Sequence, residues 1–164
     1  MKKALISVND KSNLVELATY LVNQGYQIIG SNGTCNFLKQ NNIPCIFIST
    51  YTGVDETLDG RVKTLHPKIY SNILNSYDNN DETIDVVVVN LYPFKTKQSI
   101  ENIDIGGITL IRAAAKNYER KVVLCDPKQY QSYINNTYNQ KALALKAFEL
   151  TSDYDTSIMN WFKS

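Results

Sequence analysis

The sequence lacks the features that mark several large classes of protein. Its 17 basic and 16 acidic residues nearly cancel, so no overall field attracts nucleic acid or an acidic membrane surface. No apolar run approaches the roughly 20 residues that span a bilayer, and no secretory cleavage site follows the short apolar start. With 164 residues, the chain is predicted to form one cytoplasmic domain over residues 1–164.

Metal ligands and paired cysteines are equally scarce. His66 is the single histidine, without a second histidine or a cysteine nearby, so we expect no metal site and no metal catalysis. The three cysteines, Cys35, Cys45 and Cys125, are odd in number and far apart. We interpret them as small core residues in a reducing compartment, and not as a disulfide framework or a zinc site.

Short apolar runs alternate with segments of helical periodicity. The clearest run, Asp85–Val89, is rich in β-branched residues and predicts a strand covered on both faces, as in a parallel sheet. Four more strands are predicted at Ala4–Val8, Tyr26–Ile29, Ile43–Ile48 and Val122–Cys125, and a C-terminal helix at Lys141–Phe162. The alternation predicts a doubly wound α/β fold with about five parallel strands.

Polar clusters follow three of the predicted strands. They are Ser7–Lys11 after the first, Gly30–Thr34 after the second and Asn90–Tyr92 after the fourth. Ligands of doubly wound sheets bind beyond the carboxyl ends of the strands, so we expect these clusters to converge on one site. Ser31–Thr34 opens a helix and offers backbone N–H groups and hydroxyls to a phosphate, with Lys11 as a nearby cation. An ordinary capped turn is the alternative.

Two further segments carry candidate chemistry. Arg61–Lys68 holds three cations, a threonine and the histidine, while Val62 and Leu65 can anchor it to a core, so it suits an anionic small molecule. His66 is interpreted as a structural residue beside Pro67. Asp104–Gly107 either caps a helix or pairs a carboxylate with N–H groups aimed at a developing oxyanion. The Gly30–Gly33 spacing does not match a dinucleotide-binding loop.

Taken together, these segments resemble a known family, the IMP cyclohydrolase domain of the bifunctional purine-biosynthesis enzyme that also carries AICAR transformylase. The matching segments are residues 7–11, 58–68, 87–94, 101–107 and 111–117. The resemblance implies a methylglyoxal-synthase-like α/β fold. It also implies closure of 5-formamidoimidazole-4-carboxamide ribotide (FAICAR) to IMP with loss of water, the last step of de novo purine biosynthesis. It implies no cofactor, a purine ribotide substrate and a homodimer.

The same resemblance implies the site residues. It assigns chemistry to Lys63, Tyr92, Asp104 and Lys116. It assigns substrate binding to Ser7, Asn9, Lys11, Ser31, Asn32, Gly33, Thr34, Arg61, Thr64, Asn90, Ile105 and Gly106. In this scheme Asp104 and Lys116 manage the protons, Lys63 and Tyr92 polarise the formyl oxygen, and Asn90 with the Gly106 backbone orients the base. Lys63 and Lys116 are thus expected to share one cavity, although a lysine at a helix C-terminus is more often a charge that complements the helix dipole.

The chain also departs from the family. Asn32 stands where the family has glycine, Asn9 where it has serine, and the segment after Tyr70 is shorter. The sequence ends where the transformylase domain would begin, so a free-standing enzyme would need a separate AICAR transformylase, and an excised domain is the other possibility. Two alternative functions remain open: a non-catalytic purine-ribotide-binding or regulatory module, and methylglyoxal synthase.

Overall fold

The computed structural model describes residues 2–55, 62–75 and 83–163; Arg61, predicted to bind the phosphate, lies outside these ranges. The strands are β1 (Lys3–Val8), β2 (Gln27–Gly30), β3 (Ile46–Phe47), β4 (Ile84–Asn90) and β5 (Val122–Leu124). The helices are α1 (Leu14–Asn23), α2 (Asn32–Gln40), α3 (Ile48–Thr52), α4 (Pro67–Leu74), α5 (Gly106–Lys116), α6 (Tyr130–Ile134) and α7 (Gln140–Lys163). Short 3₁₀ turns occupy Ile100–Asn102 and Pro127–Gln129.

The five strands form one parallel sheet in the order β3-β2-β1-β4-β5. This confirms the predicted doubly wound α/β fold, including the C-terminal helix α7. The chain winds outward from β1 through β2 to β3, and then returns to the other side of β1 to form β4 and β5. The direction of winding therefore reverses between β1 and β4, and the loops that leave these two strands diverge there.

Helices cover both faces of the sheet. Helix α1 packs against α6, whereas α5 packs against α4 and α7. This double cover explains the β-branched run in β4, because Val86–Val89 are all buried, whichever face each side chain points to. Among the residues that the structure describes, no helix is long and apolar enough to cross a membrane.

Helix α4 was not among the sequence predictions, although its start carries a recognisable signal. His66 is the N-cap residue, and its Nδ1 atom accepts a hydrogen bond of 3.2 Å from the backbone N–H of Lys68. Pro67 occupies the first helical turn, where its missing N–H has no cost. The histidine therefore has the structural role that its position beside a proline indicated.

The interpretation of the cysteines is wrong for two of the three. Cys35 and Cys45 form a disulfide, with Cα atoms 5.3 Å apart, and only Cys125 is free and buried. The sheet order explains the pairing, because α2 starts directly after β2 and Cys45 directly precedes β3, the neighbour of β2. A Cβ atom on Gly30 would lie 2.9 Å from the Cys45 sulfur, so the glycine leaves room for the bridge.

A buried ion pair lies at the opposite edge of the sheet from the polar clusters. The Lys121 Nζ atom is 3.3 Å from a carboxylate oxygen of Asp85, and the two side chains are 4% and 27% exposed. A buried ammonium group is costly without its counter-charge, so the pair ties the start of β5 to the start of β4.

We predict that Asp85→Ala lowers the free energy of unfolding by about 2 to 3 kcal/mol, because it leaves the Lys121 charge buried and unpaired. Urea unfolding measures this change. The matched control is Glu149→Ala, which removes the exposed Lys146–Glu149 pair and should change the free energy of unfolding far less, because solvent screens that pair. Equal costs for the two variants would contradict the assignment.

Candidate functional site

A cavity of about 480 Å³ opens at the carboxyl edge of the sheet, beside the point where the winding reverses. Its volume lies in the range of small-molecule sites. The residues that line it come from the loops after β1, β2 and β4 and from the segments before α4 and α5. They are Ser7, Val8, Asn9, Lys11, Ser31, Gly33, Lys63, Thr64, Val89, Asn90, Tyr92, Glu101, Asn102, Ile103, Asp104, Ile105, Gly106 and Gly107.

The loops after β1 and β4 are held together by one carboxamide. The Asn90 Oδ1 atom accepts hydrogen bonds from the backbone N–H groups of Asn9 (2.7 Å) and Asp10 (2.9 Å). Its Nδ2 atom donates to the Asp10 carbonyl oxygen at 2.8 Å. The side chain of Asn90 is therefore committed to the loop, so that its contribution to the site is the position of Asn9 and Lys11.

The start of α2 forms the second wall. Ser31 precedes the helix, and its hydroxyl donates to Thr34 Oγ1 at 3.0 Å, while Thr34 Oγ1 also accepts from the Val8 N–H at 3.2 Å. Thr34 thus fixes the turn to β1 and does not line the cavity. A Cβ atom on Gly33 would meet nothing within 4 Å, so this side of the helix start is open. The first-turn N–H groups of α2 are suited to an anion.

The segment before α4 places two polar side chains at the cavity. Thr64 is 4% exposed, and within the described part of the chain no hydrogen bond occupies its hydroxyl. Buried hydroxyls in proteins nearly always have a partner, so an oxygen or nitrogen atom of a ligand would complete this one. Lys63 lies beside it and is close enough to Asp104 to act on its charge.

Asp104 is an acid of the site whose protonation depends on its buried position. Burial raises the pKa of its carboxyl, while hydrogen bonds from the backbone N–H groups of Gly107 and Ile108 and the charge of Lys63 act in the opposite direction. The bond from Gly107 N–H to the carboxylate is 2.6 Å long. A raised pKa favours the protonated acid, which is the form that can donate a proton.

Twelve of the sixteen predicted catalytic and substrate-binding residues line the cavity. They are Ser7, Asn9, Lys11, Ser31, Gly33, Lys63, Thr64, Asn90, Tyr92, Asp104, Ile105 and Gly106. Tyr92 stands at the rim, with 55% of its surface exposed. Three of the sixteen predicted residues lie within the described ranges but do not line the cavity: Asn32, Thr34 and Lys116.

Lys116 is the largest departure from the expected site. It is exposed at the last position of α5, whereas the cavity touches the first position, Gly106. Ten residues of α-helix span about 15 Å, so the two ends of α5 are well separated. The expectation that Lys63 and Lys116 share one cavity is therefore not met.

Some lining residues were not predicted. Glu101, Asn102 and Ile103 form the wall between β4 and α5. Their only sequence signal is their place within the 101–107 segment, directly before Asp104. Since side chains of such an irregular segment have no periodicity, sequence patterns alone do not indicate which of them face the cavity.

Comparison with known families agrees with this geometry. The MGS-like domain family matches residues 13–119, which include β2 to β4, α5 and most of the cavity wall. The chain belongs to the MGS-like domain family. A second family, described as the AICARFT/IMPCHase bienzyme, matches residues 114–164 and thus covers α7. The MGS-like part and the C-terminal helix are therefore matched by different families.

Relatives with curated names are longer than this MGS-like chain. The bifunctional purine biosynthesis protein PurH of Thermoanaerobacter sp. (strain X514) is 46% identical over 187 residues, covering 98% of this chain and 37% of the relative. PurH of Prochlorococcus marinus (strain MIT 9515) is 44% identical, covering 96% of this chain and 36% of the relative. The chain thus spans little more than a third of their length.

A solved structure resembles the whole chain. The crystal structure of ForH superposes with a TM-score of 0.86 at 28% identity, covering 99% of this chain and 97% of the ForH chain. The MGS-like unit with its C-terminal helix therefore also occurs as nearly the full extent of another crystallised chain.

We predict that Gly107→Ala disrupts the Asp104 wall. A Cβ atom there would lie 2.8 Å from both Asp104 carboxylate oxygens, so the carboxylate must shift away from the Gly107 N–H. The variant should lose stability, and the pKa of Asp104 should rise further, because the displaced carboxylate loses the hydrogen bond from the Gly107 N–H that lowers this pKa. Thermal unfolding and carboxyl-carbon NMR titration measure the two effects.

Gly33→Ala is the matched glycine control, because its Cβ atom meets nothing within 4 Å. It should keep the stability of the wild type and the Asp104 titration unchanged. A Gly107→Ala protein with a wild-type Asp104 titration would contradict the prediction.

Proposed function

We propose that this chain acts in purine biosynthesis as an IMP cyclohydrolase, closing the pyrimidine ring of FAICAR to give IMP and water. The observation that supports this most is the convergence of Lys63, Tyr92 and Asp104 on one cavity beside the open start of α2. The matches to the AICARFT/IMPCHase bienzyme family and to PurH supply the reaction class.

The proposed substrate lies with its phosphate at the start of α2. The N–H groups around Gly33 and the Lys11 ammonium group supply the positive charge for it. Asn32, the departure from the family pattern, is exposed outside the cavity lining, so it leaves this space open. The base then extends toward the wall formed by Asp104 and Gly106.

The reaction forms one bond and breaks another. The carboxamide nitrogen attacks the formyl carbon, and the formyl oxygen becomes the hydroxyl of a tetrahedral intermediate as the nitrogen loses a proton. The hydroxyl then takes up a proton and leaves as water, while the former formamido nitrogen gives up its proton and the ring gains a C=N bond. Holding the two groups together can itself supply several kcal/mol, so proton transfer and charge stabilisation remain.

The cavity residues fit these two needs. The Lys63 ammonium group and the Tyr92 hydroxyl polarise the formyl oxygen in this proposal. Asp104 carries protons, because its raised pKa makes the protonated form available to the leaving hydroxyl. Lys116 receives no part, since it is exposed at the far end of α5. A homodimer and a separate AICAR transformylase stay predictions.

Two other functions are distinguished by IMP binding and by turnover of dihydroxyacetone phosphate. A non-catalytic ribotide-binding module would bind IMP without turning over FAICAR. Methylglyoxal synthesis is favoured by the MGS-like match over residues 13–119 and would consume dihydroxyacetone phosphate. A triose phosphate would leave the wall from Glu101 to Gly106 without a ligand contact, so we rank this reaction lower.

We expect the purified chain to convert FAICAR to IMP, and the increase in IMP absorbance measures this turnover. Lys63→Ala and Asp104→Asn should each lower kcat by at least about 100-fold, because each removes a group that acts on the reacting atoms. Lys141→Ala, an exposed lysine at the start of α7, is the control and should retain wild-type turnover. No turnover of FAICAR by the wild-type chain would refute the proposal.

Lys116→Ala separates the sequence-based site from the structural one. The sequence-based scheme expects a loss of turnover comparable with that of Lys63→Ala. Because Lys116 is exposed outside the cavity, we expect turnover close to that of the wild type.

Asp104→Asn should also change stability with pH. A carboxyl whose pKa is higher in the folded protein than in the unfolded chain destabilises the fold increasingly as the pH rises above the ordinary value of 3.8. The variant should therefore gain stability relative to the wild type between acidic and neutral pH. Urea unfolding at both conditions measures this gain, and a relative loss at neutral pH would show that Asp104 is mainly a structural cap.

A further inference from the structure

The wall that carries Asp104 is held from behind by the C-terminal helix. Tyr154 of α7 is 7% exposed, and its hydroxyl lies between two backbone groups on either side of Ile103. It donates to the carbonyl oxygen of Asn102 at 2.9 Å and accepts from the N–H of Asp104 at 2.9 Å. A residue 50 positions away in the sequence thus fixes the backbone of the acid.

The ring of Tyr154 is fixed in turn by aromatic packing. Its centroid is 6.0 Å from that of Phe94, which is buried and lies 5.7 Å from the Trp161 ring in an edge-to-face contact. Phe94 belongs to the segment after β4, and Trp161 to the last turns of α7. The aromatic contacts therefore clamp α7 to the loop that leaves β4.

Protonation supports the same arrangement. Burial raises the pKa of Tyr154, and the neighbouring charge of Asp104 raises it further, whereas the hydrogen bond from Asp104 N–H lowers it. The phenol consequently keeps its proton and remains a donor to Asn102. Replacing it with phenylalanine would leave a carbonyl and an N–H without partners in a partly buried loop.

From this geometry we infer that Tyr154 is a positioning residue for the catalytic acid: its hydroxyl sets the backbone of Asp104 so that the carboxylate meets the start of α5 and faces the cavity. The catalytic role of Asp104 rests on the proposed function, whereas the positioning of its backbone by Tyr154 does not depend on that function. Tyr154 lies in the stretch matched by the AICARFT/IMPCHase bienzyme family and beyond the end of the MGS-like match. The C-terminal helix thus contributes to the site without lining the cavity.

Tyr154→Phe tests the inference, because it removes the hydroxyl and keeps the ring that packs on Phe94. The first readout is hydrogen exchange of the Gly107 N–H, which donates to the Asp104 carboxylate and not to the Tyr154 hydroxyl. We expect its exchange to accelerate by at least about tenfold, together with a further rise in the pKa of Asp104, because the hydrogen bond that lowers this pKa is weakened. The second readout is FAICAR turnover, where kcat should fall by about tenfold or more with KM little changed.

Tyr133→Phe is the matched control. Tyr133 is 6% exposed, and burial also raises the pKa of its phenol, but it lies on α6 outside the cavity lining. It should lower the melting temperature without changing the exchange of Gly107, the titration of Asp104 or kcat.

The outcomes separate the two claims. Unchanged Gly107 exchange and Asp104 titration in Tyr154→Phe would overturn the inference, and so would equal acceleration in Tyr133→Phe, which would indicate general loosening. If exchange and titration respond as expected but the wild-type chain does not turn over FAICAR, the positioning role stands and the proposed function fails.

Discussion

The reversal of winding between β1 and β4 is the constraint on which the rest of this structure depends. Parallel strands bring all their carboxyl ends to one edge, and at this point the outgoing loops turn in opposite directions and leave a gap. Without hydrogen bonds across this gap, the two loops would not be held in fixed positions. The Asn90 carboxamide provides these bonds: it makes three hydrogen bonds to the Asn9–Asp10 backbone, and they join the two loops at the base of the cavity.

The cavity contains groups that do not favour folding by themselves. The Asp104 carboxyl is partly buried at an energetic cost that its backbone hydrogen bonds and Lys63 offset only in part, and the buried Thr64 hydroxyl has no bond within the described ranges. The remainder of the core is conventional: a fully covered parallel sheet between helices. Stability thus comes from the sheet and its helices, and the perturbed groups are confined to one edge, a distribution that is common in enzymes.

Most of the fold could be predicted from the sequence because its strands are short, continuous apolar runs. Val86–Val89 identify a strand buried on both faces, and the polar clusters after β1, β2 and β4 indicate the site edge because the direction of a parallel strand fixes where each cluster lies. Helix α4 was overlooked although His66 and Pro67 mark its start. The cysteine pair was not foreseen, since only the adjacency of β2 and β3 brings Cys35 near Cys45.

The sequence predicted the site residues whose position is determined by one loop or by the start of one helix. It did not predict correctly the position of a residue that a whole helix separates from the cavity. Asp104 and Lys116 belong to neighbouring family segments, yet α5 carries them apart by its own rise. The sequence did not indicate that Tyr154 contacts the site. An aromatic residue at helical spacing is usually a core residue, and the contacts of its hydroxyl depend on how α7 packs.

The hydrogen bonds that Asn90 makes to the neighbouring loop have a consequence for ligand binding. The loop that presents Lys11 is already held by backbone hydrogen bonds within the protein. Ligand binding therefore does not have to order this loop first. The entropy lost on association is then confined largely to the ligand and to a few side chains, and a small anion can be captured by a site that is preorganised for it.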